Sequence, residues 1–72
     1  MKVLLNTVEK VKKFCTRAMG LKNDVYVVSD RYKVDGKSLL GLFSLNLTNP
    51  VTVIIHEDDE EIAESVFYEF GV

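Results

Sequence analysis

Seventy-two residues suffice for one hydrophobic core, near the lower limit at which a chain folds without metal or disulfide staples, and the lone Cys15 excludes an internal bridge. An apolar content of 47% with 28% charged residues excludes the composition of a disordered chain, and no apolar run is long enough to cross a bilayer. The net charge of -2 sets up no overall field for nucleic acid, although five of the nine basic residues lie between Lys10 and Lys22 while Glu57 to Glu61 is wholly acidic.

Met1 to Leu5 is short, apolar and abruptly ended at Asn6, before any signal-peptide core could form, so it reads as a first strand of a cytoplasmic chain. From Val8 the apolar residues Val8, Val11, Cys15 and Ala18 recur at three- and four-residue steps, flanked by Phe14 and Met19, which is the helical period. Asn6 is the expected N-cap of this helix, with Glu9 completing a capping box and Gly20 as the stop. Val25–Val28 and Arg31–Val34 are β-branched and aromatic runs joined at Ser29-Asp30, hence a hairpin, with Tyr32 and Val34 on one face and Arg31, Lys33 and Asp35 on the other. Asp30-Arg31 stands where an Asn-Gly pair would suit a type I′ turn, so another turn geometry is expected. Asp35-Gly36 breaks the pattern, and Ser38 offers an N-cap for a short helix carrying Leu39, Leu40, Leu42, Phe43 and Leu45. After Asn49-Pro50, Val51–Ile55 is the strongest strand; Asp58 and Glu61 then cap a last helix with Ile62, Ala63, Val66, Phe67 and Phe70 as its core stripe, ended by Gly71.

The resulting order, β-α-β-β-α-β-α, contains no repeat and no linker, and predicts one domain over residues 1–72. Its expected architecture is α+β: an open-faced sandwich in which a four-stranded antiparallel sheet carries three helices on one face.

The segment Lys37-Ser38-Leu39-Leu40-Gly41-Leu42-Phe43-Ser44-Leu45, of the form K-S-x-x-G-x-x-S-L at the start of a short helix, resembles the regulatory-serine segment of the HPr phosphocarriers of the bacterial sugar phosphotransferase system. The element order agrees with that family along the whole chain. The resemblance implies a histidine at the start of the first helix that takes a phosphoryl group from enzyme I, because a neutral imidazole is nucleophilic and a helix N-terminus with a nearby arginine stabilises the added dianion. Counted back without gaps from Ser38, Thr7 occupies the histidine position and Glu9 the arginine position. Threonine forms no transferable phospho-imidazole, and Glu9 sets a negative charge against the phosphate. By their one-, three- and four-residue offsets Leu39, Leu40 and Phe43 fall on one side of the short helix and Leu42 and Leu45 on another. The resemblance further implies that Ser38 is a candidate site of regulatory phosphorylation, which Lys37 would help and which competes with simple helix capping, and that the face of Leu39, Leu40 and Phe43 docks a partner.

The expected function is therefore a non-catalytic HPr-like module, with no cofactor and no metal, that works by contact with proteins of the phosphotransferase system or of transcription regulation. Two alternatives stand beside it. His56, the only histidine, could carry the phosphoryl group, although it immediately precedes the acidic run. Lys10, Lys13 and Arg17 form a basic strip that could hold an anion or nucleic acid, although it lacks interleaved aromatics. Cys15, on the apolar stripe, is expected to be buried and unreactive.

Overall fold

The computed structural model describes residues 1–56 and 60–72. In chain order the elements are β1 (Lys2–Val3), α1 (Val8–Met19), β2 (Val25–Ser29), β3 (Tyr32–Asp35), α2 (Leu39–Phe43), β4 (Val51–Ile55) and α3 (Glu60–Phe67), the last continuing into a 3-10 turn at Tyr68–Phe70. The strands form one sheet in the order β1-β4-β2-β3, with every neighbouring pair antiparallel. The expected α+β open sheet with three helices is present.

Period-two alternation decides which sheet face is covered. Val25, Val27, Val51, Val53 and Ile55 are buried, and the register pairs Val25 with Ile55 and Val27 with Val53 across β2 and β4. The intervening Tyr26, Val28, Thr52 and Ile54 turn to the open face, where the Lys33 ammonium lies 4.3 Å from the Tyr26 ring centroid. Against the covered face α1 brings Val11, Phe14, Cys15 and Ala18, which recur at three- and four-residue steps and so share one side. Phe14 stacks on Phe67 at 4.3 Å and meets Phe70 edge-on at 5.9 Å, joining α1 to α3 and the turn after it. Gly36 is required at its position by contact, since a Cβ there would lie 2.8 Å from Val25 Cγ1.

Several local details differ from the sequence reading. The N-cap of α1 is Thr7, not Asn6: Thr7 is extended (φ -134°, ψ 153°) and its Oγ1 accepts from the Lys10 N–H at 3.1 Å. Glu9 is then one position too early to close a capping box, and Asn6 instead accepts from the Lys10 ammonium at 3.2 Å. On α1, Phe14 is a central core residue where a flanking one was expected, while Val8 is largely exposed because it lies in the first turn, beyond the covered part of the sheet. Only Lys2–Val3 of the first segment pairs in the ladder, although Leu5 is also buried. Gly20 ends α1 as expected, but in right-handed geometry, its N–H reaching back to the Arg17 carbonyl at 3.1 Å in a tightened last turn. The hairpin closes on the Ser29–Tyr32 pair, and Asp30 is the only non-glycine residue with positive φ (53°) among the described residues. With Arg31 outside the left-handed region the turn is not type I′, which requires both central residues there. Tyr32, on the covered side by register, is nonetheless exposed, because β3 is the sheet edge. The expected cap at Asp58 lies outside the described residues.

Candidate docking surface and the start of the first helix

Four backbone N–H groups at the start of α1 lack helical acceptors, and Thr7 satisfies one of them through its hydroxyl. Glu9 is exposed in the first turn, and the Lys10 ammonium lies at the same end on Asn6 Oδ1 at 3.2 Å, so the helix start carries a charge of each sign. His56 is far from this point. It follows β4, its N–H donates to the Asp24 carbonyl at 2.8 Å and its own carbonyl accepts from Asn23 Nδ2 at 3.5 Å. Asn23 and Asp24 lie just beyond the C-terminal end of α1. The twelve residues of α1 span about 18 Å, so Thr7 and His56 sit at opposite ends of the helix.

The short α2 is capped by Ser38, which is extended (φ -102°, ψ 111°) and accepts from the Gly41 N–H at 3.1 Å. The helix divides its leucines by face as the offsets predict. Leu42 is fully buried and Leu45 nearly so, whereas Leu40 is 85% exposed, Phe43 44% and Leu39 38%. Two apolar residues of α1, Val8 at 57% and Met19 at 64% exposure, extend this patch at either end. Val8 and Phe43, with Leu5, Val11 and Leu47, line a groove of about 210 Å³ beside the Thr7 cap. Met19 and Leu39 line a second, of about 450 Å³, with Lys12, Cys15, Thr16 and Lys37. Sequence reasoning missed Val8 and Met19 because helical periodicity assigned both to the core side; their places in the first and last residues of the helix were the available signal.

Lys37 was expected to support a phosphate on Ser38, but its ammonium is engaged with the Leu21 carbonyl at 2.7 Å. The basic strip is also dispersed. Arg17 forms an ion pair with Glu69, donates to the Val66 carbonyl at 3.5 Å and lies 5.2 Å from the Phe70 ring centroid, so it fastens α1 to the end of the chain. Lys10 turns back to Asn6, and Lys13 stands exposed. Cys15 is buried and donates to the Lys37 carbonyl at 3.5 Å; burial, and secondarily the Asp35 carboxylate, pushes its thiol above the ordinary range. Among the described residues no three histidine, cysteine or carboxylate side chains gather where a metal could bind, and no helix is long and apolar enough to cross a membrane.

This arrangement, an open antiparallel sheet under three helices with a short apolar helix beside the start of the first, defines the HPr-like fold. HPr-C-His from Thermoanaerobacter tengcongensis superposes with a TM-score of 0.79 over 96% of this chain and 85% of that one, at 24% identity. Crh, the catabolite repression protein of Bacillus subtilis, whose crystal structure is a domain-swapped intertwined dimer, gives a TM-score of 0.70 over 97% of this chain and 82% of that one, at 29% identity. No family model matches the sequence, and no curated protein matches it. The structural neighbours are HPr-like proteins, and they support a relation to the phosphocarrier family.

Proposed function

We propose that this chain is a non-catalytic HPr-like interaction module that has lost the phosphocarrier histidine. It acts in the cytoplasm by docking a protein, either a component of the phosphoenolpyruvate-dependent sugar phosphotransferase system or a transcription regulator coupled to it. The observation that carries the reading is the exposure of Leu39, Leu40 and Phe43 as one apolar patch beside a helix start that holds a threonine cap and Glu9. A phosphoryl group on Thr7 would be held as a stable ester rather than as a transferable phospho-imidazole, and its dianion would stand beside the Glu9 carboxylate in the first turn. Ser38 borders the patch and is the regulatory position in this reading: a phosphate on its Oγ would exchange a hydroxyl cap for a dianion at the rim of the docking face.

Incubation with enzyme I and labelled phosphoenolpyruvate tests the absence of phosphocarrier activity. No label is expected, and acid-labile label on His56 overturns the reading. Leu40→Asp, at a position where the side chain is already in solvent, keeps the fold and abolishes recovery of the partner by affinity capture from cells carrying the gene; unchanged recovery also overturns it.

A further inference from the structure

The larger groove between α1 and α2 differs in chemistry from the apolar patch it adjoins. It is lined by Cys15, Thr16, Met19 and Leu39 together with Lys12 and Lys37, and no acidic residue is among them. Lys37 is fixed at three points. Its ammonium donates to the Leu21 carbonyl at 2.7 Å, its backbone N–H donates to Asp35 Oδ1 at 2.9 Å, and its carbonyl accepts from Cys15 Sγ at 3.5 Å. An ammonium has three N–H donors, so anchoring one on Leu21 leaves two for an incoming acceptor. The anchor also removes rotamer freedom that a surface lysine would otherwise lose on binding. The groove volume of about 450 Å³ is within the range of small-molecule sites, roughly 300–1,000 Å³, and an apolar floor with few fixed polar groups is their usual composition.

We propose that this groove binds a small organic acid with an aliphatic or aromatic body, the carboxylate held between Lys37 and Lys12 and the body lying on Met19, Leu39 and the Cys15 wall. Charge complementarity selects the ligand: on a chain of net charge -2, both charged residues that line this groove are lysines, and the Asp35 carboxylate that acts on Cys15 is engaged by the Lys37 backbone N–H. The site goes beyond the docking function and shares Leu39 with it, so a bound acid and a docked partner compete.

Octanoate is the probe, titrated into the ¹⁵N-labelled full chain and followed by amide chemical shifts up to about 5 mM, a range that captures the weak affinity of a ligand this small. Shifts are expected at Lys12, Cys15, Thr16, Met19, Lys37 and Leu39. Acetate, which keeps the charge without the body, and octanamide, which keeps the body without the charge, should each bind about tenfold more weakly, the size of one lost charge-assisted contact. Lys12→Met should weaken octanoate several-fold with an unchanged circular dichroism spectrum, and Lys37→Met should do so more strongly. Equal binding of octanamide identifies a purely apolar docking surface for a protein and overturns the proposal. Shifts spread equally over Leu40, Tyr68 and Val72, no saturable shift at all, or octanoate binding unaffected by Lys12→Met also overturn it. None of these outcomes depends on enzyme I or on the docking partner.

Discussion

Leu40 and Leu42 are two residues apart on a five-residue helix, and truncating each to alanine should have opposite consequences. Leu42 is fully buried, within the cluster that includes Phe14, Cys15 and Leu45, so its removal loses the transfer free energy of the side chain and leaves a cavity in a chain too small to redistribute the strain. Such truncations cost about 2–5 kcal/mol. A middle value of about 3 kcal/mol, at about 4–8 °C per kcal/mol for a domain of this size, lowers Tm by about 12–24 °C. Leu40 is 85% exposed and makes little contact to lose, so Leu40→Ala should change stability by less than about 0.5 kcal/mol, or about 2–4 °C. Thermal melts of both variants by circular dichroism measure the difference directly. Equal losses would mean that α2 is rotated about its axis from the orientation described, and the division into a core face and a docking face would fail with it.

Gly36→Ala forces Val25 or the β3–α2 corner to move, since the added Cβ would start 2.8 Å from Val25 Cγ1; a loss of about 1–3 kcal/mol in urea unfolding is expected, and a neutral result would show that the corner is slack. Thr7→Ala should cost about 1 kcal/mol by removing the cap of α1, whereas Asn6→Ala, which removes only an exposed contact to the Lys10 ammonium, should be near neutral; the reverse order would restore Asn6 as the cap. Arg17→Met should destabilise by no more than about 1 kcal/mol because its pair with Glu69 is more than a third exposed on both sides, and most of that loss should persist in high salt if packing on Phe70 dominates. The Cys15 thiol, raised by burial and then by Asp35, should react with alkylating reagents far more slowly in the folded protein than in denaturant. Its contribution to stability is fully present below the ordinary thiol pKa and is lost as pH rises through the higher folded value, so stability should fall on the alkaline side; a rise there would contradict the burial argument.

The fold was legible wherever one side of an element is continuously covered. Period-two alternation in Val51–Ile55 and the three-four spacing of Val11, Phe14, Cys15 and Ala18 each encode a buried face, and burial gives such patterns their regularity. Illegible were the places where a chain end or sheet edge removes that cover. Val8, Met19 and Tyr32 carry apolar side chains in positions of correct phase, but no layer extends over them. The N-cap was displaced by one residue because Asn6 and Thr7 are both good caps, and only the backbone of Thr7 shows which of them enters the helix. At the candidate site, sequence offsets separated the two faces of α2 correctly. They could not show that Lys37 reaches across to Leu21, sixteen residues away, or that Arg17 is spent on the end of the chain, because these are long-range side-chain choices without a periodic signature.

These long-range contacts also change how the basic segment is weighed as a binding surface. Read along the chain, Lys10, Lys12, Lys13, Arg17 and Lys22 form a cationic block suited to a phosphate backbone, which rewards many cations facing one way. In three dimensions the block divides: Arg17 turns toward α3, Lys10 turns back along its own helix, and Lys12 lines the groove at α2 together with Lys37 from a different part of the sequence. A nucleic acid would therefore find no continuous row of cations for its phosphates, and a small anion at the α1–α2 groove would find two lysines that the sequence keeps twenty-five positions apart. The local charge that matters at this surface is created by packing α2 against α1, and so depends on the same buried Leu42 that separates the core face of α2 from its docking face.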